Sequence, residues 1–508
     1  MLAKVLSGAT FGIDAYPVEV EVDITRGVPY FSTVGLPDNA VKESKDRVRS
    51  AIKNSGYVFP AKRITVNLAP AHIKKEGTAF DLPVAVGILA AEGIINCQNL
   101  LDFIILGELS LDGAIKPMRG TLPVAVCAKE LKKRLILPVE NRREAALVNG
   151  VEVYGVPNLA ALVEFLNGTS SIEACRERPG DFFQNNGAPR PDLSEVKGQT
   201  QVKRALEVSA AGGHNVIMIG PPGSGKTMLA SRIPSILPEM TIDEAIETTK
   251  IHSVAGTLET GHALVTRRPF RSPHHTISDA GLIGGGRIPR PGEVSLAHNG
   301  VLFLDEFPEF KKNALEVLRQ PIEDGRVTIS RAAGTICYPS VFMLVGAMNP
   351  CPCGFMGDSH KECVCTPMQI IQYRGRLSGP LLDRIDIHCD VPAVRFKELT
   401  KEGASESSID VKKRVDAARK IQSARFGDKK TFSNSRMTPR HIKECCRTKG
   451  DSSRLLETAV DRLGLSARAY TRILKVARTI ADLDSEENIH TRHIAEAIQY
   501  RTLDRPVV

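Results

Sequence analysis

The sequence predicts a multidomain α/β protein with a helical C-terminal part. At 508 residues the chain is too long for one hydrophobic core. Strand and helix patterns alternate in the first third, short apolar runs rich in β-branched residues mark the middle, and mainly helical patterns follow residue 400. We therefore expect an α+β front domain, an α/β core with buried parallel strands, and an all-α C-terminal domain.

A stretch rich in Pro, Gly and Asn, "RERPGDFFQNNGAPRPDL", marks the clearest break in the chain. It has no hydrophobic periodicity, which is typical of an exposed linker. The predicted linker covers residues 173–194. The front domain then covers 1–172, the core 195–395 and the helical domain 396–508.

The front domain is predicted from alternating patterns. "PVEVEVDIT" and "RITVNLAP" have the composition of strands, whereas "NAVKESKDRVRSAIKNSG" predicts an amphipathic helix and "LPVAVCAKELKKR" a second one. The apolar stretch "LPVAVGILAAEGII" is shorter than the roughly 20 residues that a membrane-spanning helix needs. We expect it to form a buried helix.

The composition indicates a cytoplasmic protein without a membrane segment. The first residues lack the continuous apolar stretch and small-residue cleavage site of a signal peptide. The 11 cysteines are an odd number and cluster, unlike the cysteines of a secreted disulfide framework. The net charge of +9 favours a polyanionic partner, although it serves solubility equally well.

The segment "GPPGSGKT" predicts a phosphate-binding loop, because it follows the apolar run "NVIMIG" and opens a helix. Its glycines let backbone N–H groups turn toward phosphate oxygens, and the helix N-terminus adds positive potential. We expect Lys226 to reach the β- and γ-phosphates of ATP and the Thr227 hydroxyl to bind Mg²⁺. The eight residues of the loop are Gly220, Pro221, Pro222, Gly223, Ser224, Gly225, Lys226 and Thr227.

Two further apolar runs end in polar residues that would complete an ATP site. "VLFLDE" places Asp305 where it can hold Mg²⁺, and Glu306 where it can polarise an attacking water. "VFMLVGAMN" ends in Asn349, whose amide can orient that water or contact the γ-phosphate. The carboxyl ends of parallel strands share one edge of a sheet. The sequence therefore predicts ATP hydrolysis as well as ATP binding.

Longer phrases carry a resemblance to a known family. "SPHHTISDAGLIGGG", "LAHNGVLFLDEFPEF", "LRQPIEDG", "GAMNPCPCG" and "GRLSGPLLDRIDIH" resemble the ComM/YifB family of magnesium-chelatase-like AAA+ ATPases, over nearly the whole chain. The resemblance implies ring hexamers with ATP sites between subunits and, for ComM members, DNA branch migration during natural transformation. It implies a sensor-one role for Asn349, an arginine-finger role for Arg384 and a sensor-two role for Arg468.

Two basic stretches predict contact with DNA. "TRRPFRSPHHTISDAGLIGGGRIPRPGE" precedes Asp305, and the resemblance implies that it is an insertion projecting toward the pore of a ring; "DGRVTISRAAGTICYPS" forms a second basic hairpin. Cationic loops suit a phosphodiester backbone, and the 5% aromatic content argues against base stacking. The alternative is that these arginines pair with acidic neighbours across subunits. The candidates are Arg267, Arg268, Arg271, Arg287, Arg290, Arg326 and Arg331.

Residues 64–130 resemble the proteolytic domain of Lon, which has an S5-domain-2-like fold. The position of the Lon nucleophile carries Ala79, and the position of its catalytic lysine carries Leu122. A Ser–Lys dyad needs a hydroxyl and an amine in hydrogen-bond reach. We therefore expect the fold without the peptidase, with a role in assembly or DNA contact.

Two C-x-C pairs in "NPCPCGFMGDSHKECVCTP" predict a structural zinc site between Asn349 and Arg384. Four thiolates close a tetrahedral site and leave no position open for catalysis, and a reducing cytosol argues against disulfides. His360 is an alternative ligand, and unliganded thiols are the alternative state. The predicted ligands are Cys351, Cys353, Cys363 and Cys365.

These expectations combine into an ATP-driven hexameric DNA motor, most simply a branch-migration helicase. Three alternatives stay open. A metal-chelatase motor would insert Mg²⁺ into a porphyrin with partner subunits. A protein-remodelling ATPase would respond to a polypeptide, and a Lon-like protease would cleave unfolded protein.

Overall fold

The computed structural model divides into two compact units, each assembled from separate parts of the chain. It describes residues 1–75, 77–184, 191–258, 263–286, 289–331, 334–358, 361–393, 406–427 and 433–504. The first unit comprises Met1–Asn186, Ile242–Thr266 and Thr328–Tyr338. The second comprises Gly187–Thr241, Arg267–Val327 and Pro339–Val508.

The first unit is built on a mixed seven-stranded sheet. The strands in the first third of the chain are β1 (Leu2–Phe11), β2 (Asp14–Thr25), β3 (Tyr30–Val34), β4 (Arg63–Ala69), β5 (Phe103–Ile105), β6 (Glu108–Leu109), β7 (Ile115–Lys116), β8 (Arg134–Pro138) and β9 (Val153–Val156). The sheet has the order β3-β4-β2-β1-β5-β8-β9, in which β1–β2 and β2–β4 are antiparallel. The helices there are α1 (Asn39–Asn54), α2 (Asp81–Ala91), α3 (Thr121–Glu130), α4 (Arg142–Ala145), α5 (Leu159–Leu166) and α6 (Pro179–Gln184).

The predicted strands and helices of the front domain are confirmed. α1 begins after Asp38, whose carboxylate caps it by accepting a hydrogen bond from Val41 N–H at 2.8 Å. α2 corresponds to the predicted apolar helix, and every one of its residues is buried. It packs against β1 and β2, so its continuous apolar sequence serves the core of this unit.

The second unit is built on a five-stranded parallel sheet. The strands from residue 216 to the end of the described chain are β10 (Val216–Ile219), β11 (Phe270–Arg271), β12 (Gly284–Gly285), β13 (Arg290–Pro291), β14 (Val301–Leu304), β15 (Arg326–Arg331), β16 (Gly334–Pro339), β17 (Met343–Met348) and β18 (Ile387–Asp390). Most of β15 and β16 belongs to the first unit. The parallel sheet has the order β11-β14-β17-β10-β18. Every residue of β10, β14 and β17 is buried. This explains their uninterrupted apolar sequences and confirms the prediction of buried parallel strands.

Helices alternate with these strands along the chain and continue to the end of the described residues. They are α7 (Thr200–Gly212), α8 (Lys226–Ile236), α9 (Ile242–Ala255, in the first unit), α10 (Asp279–Ile283), α11 (Glu293–Leu296), α12 (Lys312–Val317), α13 (Arg319–Asp324), α14 (Pro367–Arg374), α15 (Gly379–Leu382), α16 (Ser408–Phe426), α17 (Pro439–Cys445), α18 (Asp451–Leu463), α19 (Ala467–Leu483) and α20 (Thr491–Gln499). The described residues from 406 onward contain helices and no strand.

The C-terminal helices and the parallel sheet share one apolar cluster. Val216 and Val345 of the sheet belong to it together with Val415 of α16 and Ile473 of α19. The predicted boundary near residue 395 therefore separates two parts of one compact unit. The predicted domain limits themselves stay predictions.

The predicted linker contains the short helix α6, which starts with Pro179, a residue whose fixed φ suits the first turn of a helix.

Among the described residues, no helix combines the length and the apolar character needed to cross a membrane.

Candidate ATP site

Three adjacent parallel strands bring the predicted ATP-site residues to one edge of the second unit's sheet. β10 pairs with β17, with Ile219 opposite Met348, and β17 pairs with β14, with Gly346 opposite Leu304. The residue after each strand belongs to the predicted site. These residues are Gly220, Asp305 and Asn349, so the segments that carry them emerge side by side.

The loop between β10 and α8 has the shape of a phosphate-binding loop. A Cβ at Gly220 would lie 2.1 Å from the carbonyl oxygen of Val391, so no larger residue fits there. Gly225, at the N-cap of α8, has φ of +86°, a left-handed conformation that favours glycine. The loop is braced from outside, because Gln199 Nε2 donates to the carbonyl oxygen of Ser224 at 2.8 Å.

The Lys226 ammonium lies inside this loop. It donates to the carbonyl oxygens of Gly220 at 2.8 Å and Pro221 at 2.9 Å, and its Nζ is 3.4 Å from Oδ1 of Asn349. Burial lowers the pKa of Lys226, while the Asp305 carboxylate acts in the opposite direction. A bound triphosphate would supply the anionic partner that this ammonium lacks in the loop.

Thr227 and Asp305 provide the oxygens expected of a magnesium site. Thr227 Oγ1 donates to Asp305 Oδ2 at 2.7 Å, and the N–H of Glu306 donates to Asp305 Oδ1 at 2.9 Å. Mg²⁺ is a hard cation that binds carboxylate and hydroxyl oxygens together with phosphates. The donor set therefore fits Mg²⁺.

Glu306 lies beside Thr227 and Asp305 and contacts a histidine from the first basic stretch. Its backbone has φ of +51°, which turns the residue out of the line of β14. Its side chain is 58% exposed, and Oε2 is 3.1 Å from Nδ1 of His275. A carboxylate this open to water can accept a proton from an attacking water molecule.

Arg384 forms an ion pair with an acidic residue of the same chain, outside the phosphate-binding loop. Its Nη2 is 2.5 Å from Oε1 of Glu323, and Nη1 donates to the carbonyl oxygen of Pro380 at 2.5 Å. Among the described residues, its buried Nε has no hydrogen-bond partner. The guanidinium is thus held in place by two contacts, and its Nε–H is not used by either of them.

Arg384 and Arg468 line the same cavity of about 620 Å³. Arg468 is 63% exposed, and its Nη1 is 3.6 Å from the carboxylate of Asp383, the residue before Arg384. Seven lysine and arginine residues line this cavity, against the two carboxylates of Glu323 and Asp383. The cavity is therefore suited to a polyanion.

A buried ion-pair network fixes the start of α19 beside this cavity. Arg472 Nη1 lies 2.5 Å from Oδ1 of Asp386, and His214 Nδ1 lies 3.0 Å from Oδ2 of the same carboxylate. Burial opposes ionisation of Asp386, but Arg472 and then His214 outweigh it and lower its pKa. Because Arg468 lies one helical turn before Arg472, the network fixes the part of the helix that carries it.

The four predicted zinc ligands come together. The sulfur of Cys351 is 3.4 Å from that of Cys353 and 3.6 Å from that of Cys363, and all four Sγ atoms, including that of Cys365, lie within 4.8 Å of one another. Zn–S bonds of about 2.3 Å in a tetrahedron place sulfurs about 3.8 Å apart. The cluster is a possible metal site with the right spacing for zinc. The alternative ligand His360 lies outside the described residues.

Two of the DNA-contact candidates are engaged inside the second unit. Arg268 donates to three backbone carbonyl oxygens at 2.5, 2.7 and 3.2 Å. Arg271 forms a two-point ion pair with Glu293, at 2.6 and 2.7 Å. Both guanidinium groups thus have partners within the second unit, and the predicted alternative of pairing with acidic neighbours across subunits stays a prediction.

The other candidates differ in exposure. Arg290, on β13, and Arg326, at the start of β15, are exposed, and Arg267 is half-buried. Arg287 lies outside the described residues, as does the side chain of Arg331. Arg290 and Arg326 are therefore the described candidates that face solvent most openly.

In the first unit, the two positions that a Lon-type peptidase would use carry no catalytic group. Leu122 is completely buried, and Ala79 is partly exposed. The neighbouring Thr78 hydroxyl donates to the Glu108 carboxylate, so its bond is to an acid and not to an amine. The hydroxyl–amine pair of a Ser–Lys peptidase is absent at these positions.

Some functional contacts have no local signal in the sequence. Gln199, which braces the phosphate-binding loop, and Glu323, which pairs with Arg384, both lie far from their partners along the chain. His275 belongs to a stretch that the sequence marks only as basic, yet it contacts Glu306. Only the order of the strands could have suggested that these residues meet.

Comparisons with known proteins agree with the geometry of the site. Three family models match: magnesium chelatase, subunit ChlI, over residues 192–399; subunit ChlI of Mg-chelatase over 20–141; and the C-terminal part of that subunit over 405–501. The magnesium-chelatase subunit ChlI of Chlamydomonas reinhardtii is 23% identical over 310 residues, which cover 56% of this chain and 69% of the relative.

Two bacterial relatives match along nearly the whole chain. The competence protein ComM of Haemophilus influenzae is 46% identical over 99% of this chain and 98% of its own length. The uncharacterized protein YifB of Escherichia coli K12 is 45% identical over 100% of this chain and 98% of its own length. The chain therefore belongs to the ComM/YifB family of magnesium-chelatase-like AAA+ proteins.

Proposed function

We propose that this protein is an ATP-driven hexameric DNA motor, a branch-migration helicase of the cytoplasm that acts in homologous recombination and natural transformation. The observation that carries the proposal is the convergence of Lys226, Thr227, Asp305 and Asn349 at one sheet edge. The ComM relative, whose name is competence protein, supports the DNA-related role. The front domain, with its proposed Lon-like fold, would serve assembly or DNA contact.

Within one chain, each residue of the ATP site would have a distinct task. The loop N–H groups and Lys226 bind the phosphates, and Asn349 orients the water beside them. Thr227 and Asp305 would hold Mg²⁺, which neutralises charge on the phosphates when bound. Glu306 accepts the proton of the attacking water, and its exposed carboxylate has room for that water.

A neighbouring subunit would complete the site. Arg384 and Arg468 line one cationic cavity, so we propose that both act on the triphosphate of the adjacent subunit. In the single chain Arg384 is paired with Glu323. The γ-phosphate bound by the neighbouring subunit would replace the Glu323 carboxylate as the partner of Arg384. The guanidinium would then stabilise the charge of the transition state. Hydrolysis would in this way depend on the contact between subunits.

The exposed arginines of the basic stretches would track the DNA backbone. Arg290 and Arg326 have the exposure that such contacts require. Neutralising phosphates releases counterions and needs no particular base sequence, which suits a motor that moves along DNA.

Branched DNA is expected to raise the ATP turnover of the wild-type protein severalfold, because a DNA motor couples hydrolysis to its track. The measurement compares turnover without DNA, with linear duplex and with a four-way junction, at one salt concentration. The Glu306→Gln variant controls for contaminating ATPases. Turnover that is the same in all three conditions would contradict the helicase assignment.

The second candidate is a magnesium-chelatase-type motor, favoured by the three matches to ChlI family models. It would need separate partner subunits and would hydrolyse ATP without regard to DNA. A protein-remodelling ATPase would instead respond to an unfolded polypeptide. The same turnover assay, run with DNA and with an unfolded polypeptide, separates the three candidates. DNA raises the turnover of a DNA motor, the polypeptide raises that of a remodelling ATPase, and neither raises that of a chelatase-type motor.

We propose in addition that the four-cysteine cluster binds one structural Zn²⁺. The purified protein is expected to contain about one zinc per chain, because four converging thiolates form a closed site. The double variant Cys351→Ser, Cys363→Ser is expected to lose it, as measured by elemental analysis. Cys337→Ser, at an exposed cysteine in the β15–β16 hairpin, serves as the control that keeps the metal. A metal-free wild-type protein with a folded loop would contradict the site.

A further inference from the structure

The loop that carries the four cysteines packs directly against the phosphate-binding loop. Gly354 lies between the first two cysteines and the third, and a Cβ added to it would be 2.7 Å from Cδ and 2.8 Å from Cγ of Pro222. The same Cβ would be 3.9 Å from Cγ of Asn349. Pro222 belongs to the phosphate-binding loop, so the cysteine loop packs against that loop and lies close to the Asn349 side chain.

The bend that brings Gly354 there is set by the cysteine cluster. Gly354 has φ of +85°, and its N–H donates to the carbonyl oxygen of the buried Cys351 at 3.0 Å. On the other side of the turn, the N–H of Met356 lies 3.4 Å from the sulfur of Cys351. The turn is thus folded around the sulfurs.

Both ends of the cysteine loop are fixed to the sheet edge. It begins after Pro350, whose carbonyl oxygen accepts a hydrogen bond from Arg374 Nε at 3.2 Å. It ends at Thr366, which caps α14. Because Arg374 belongs to α14, this helix ties the two ends of the loop together. The cysteine cluster shapes the described turn at Gly354 near the first of these ends.

We propose that the metal held by the four cysteines is a positioning centre for nucleotide binding. It fixes the turn at Gly354, and that turn holds Pro222 and Asn349 where the triphosphate needs them. The inference rests on the zinc site proposed above. Its consequence is that metal occupancy sets the affinity for ATP, without any zinc–phosphate contact.

A pair of glycine variants that leave the cysteines intact tests the contact. Gly354→Ala is expected to bind a fluorescent ATP analogue at least about tenfold more weakly, since a displaced phosphate-binding loop loses a hydrogen bond to a charged phosphate oxygen. Gly357→Ala is the matched control: it has φ of +78° in the same loop, but nothing lies within 4 Å of its Cβ. We expect it to bind the analogue within twofold of the wild-type value. Equal affinities in the two variants would overturn the proposal.

Metal removal provides the second measurement. A chelator selective for zinc over magnesium should weaken binding of the analogue by about tenfold or more, and added zinc should restore it. Circular dichroism of the same samples verifies that the fold is kept. Unchanged affinity in folded, zinc-free protein would overturn the positioning role. A wild-type protein that binds zinc but no ATP would instead contradict the proposed motor function.

Discussion

Replacement of Glu306 by glutamine is expected to lower the ATP turnover by about a hundred- to ten-thousandfold, the usual contribution of a general base. The amide cannot accept the proton of the attacking water, while the phosphate-binding loop keeps its contacts. Affinity for the ATP analogue should therefore stay within a fewfold of the wild-type value. Steady-state turnover and analogue binding, measured on the same preparation, separate the two effects.

Glu309→Gln is the matched control for this prediction. Glu309 follows in the next turn and is exposed, where its carboxylate pairs with Arg376 at 2.6 Å. Loss of a surface ion pair costs little, so its turnover should be close to that of the wild type. If the Glu306→Gln variant kept more than about a tenth of the wild-type turnover, Glu306 would not be the base.

Arg384→Ala is expected to lower turnover by about a thousandfold or more, the effect of an arginine that stabilises the transferring phosphoryl group. Because the proposed target is the triphosphate of an adjacent subunit, the defect should be complemented in mixed assemblies. Subunits with Arg384→Ala keep an intact phosphate-binding loop, and subunits with Lys226→Ala keep the guanidinium. A mixture of the two should regain activity that neither has alone.

The control is Arg376→Ala, at an exposed arginine a short distance earlier in the chain. Its turnover should match that of the wild type within about twofold, since its ion pair is at the surface. An inactive mixture of the Arg384→Ala and Lys226→Ala subunits would contradict action between subunits. A dilute single subunit that hydrolyses ATP as fast as the concentrated protein would contradict it as well.

The parts of the site that follow directly from local sequence were predictable. β10, β14 and β17 are continuous apolar runs, and each is followed by a residue whose chemistry differs sharply from the strand. Since parallel strands end at one edge, the meeting of Lys226, Asp305 and Asn349 follows from the motif order. The convergence of the four cysteines follows in the same way from two close pairs on one short loop.

The contacts that depend on packing were not predictable. Glu323 and Arg384 are 61 positions apart. No pattern in the sequence indicates which arginine a given glutamate will pair with. His275 and Glu306 are 31 positions apart and meet only in the folded chain. Arg268 and Arg271 have the same local basic context as Arg290, yet two of the three are engaged in internal contacts. Charge alone does not distinguish an arginine that binds a partner from one that ties loops together.

The interleaving of the two units has a consequence for cutting the protein apart. The chain crosses between them five times, and α9 packs against α3 although it follows the phosphate-binding helix in sequence. A single proteolytic nick after Gln184 would thus leave both fragments associated. A truncated protein that starts at the nick would remove α3 from α9, and with it the hydrogen bonds that the buried Ser253 makes with Gly120 and Glu144. The front third of the chain therefore cannot be deleted without removing contacts that α9 makes in the intact protein.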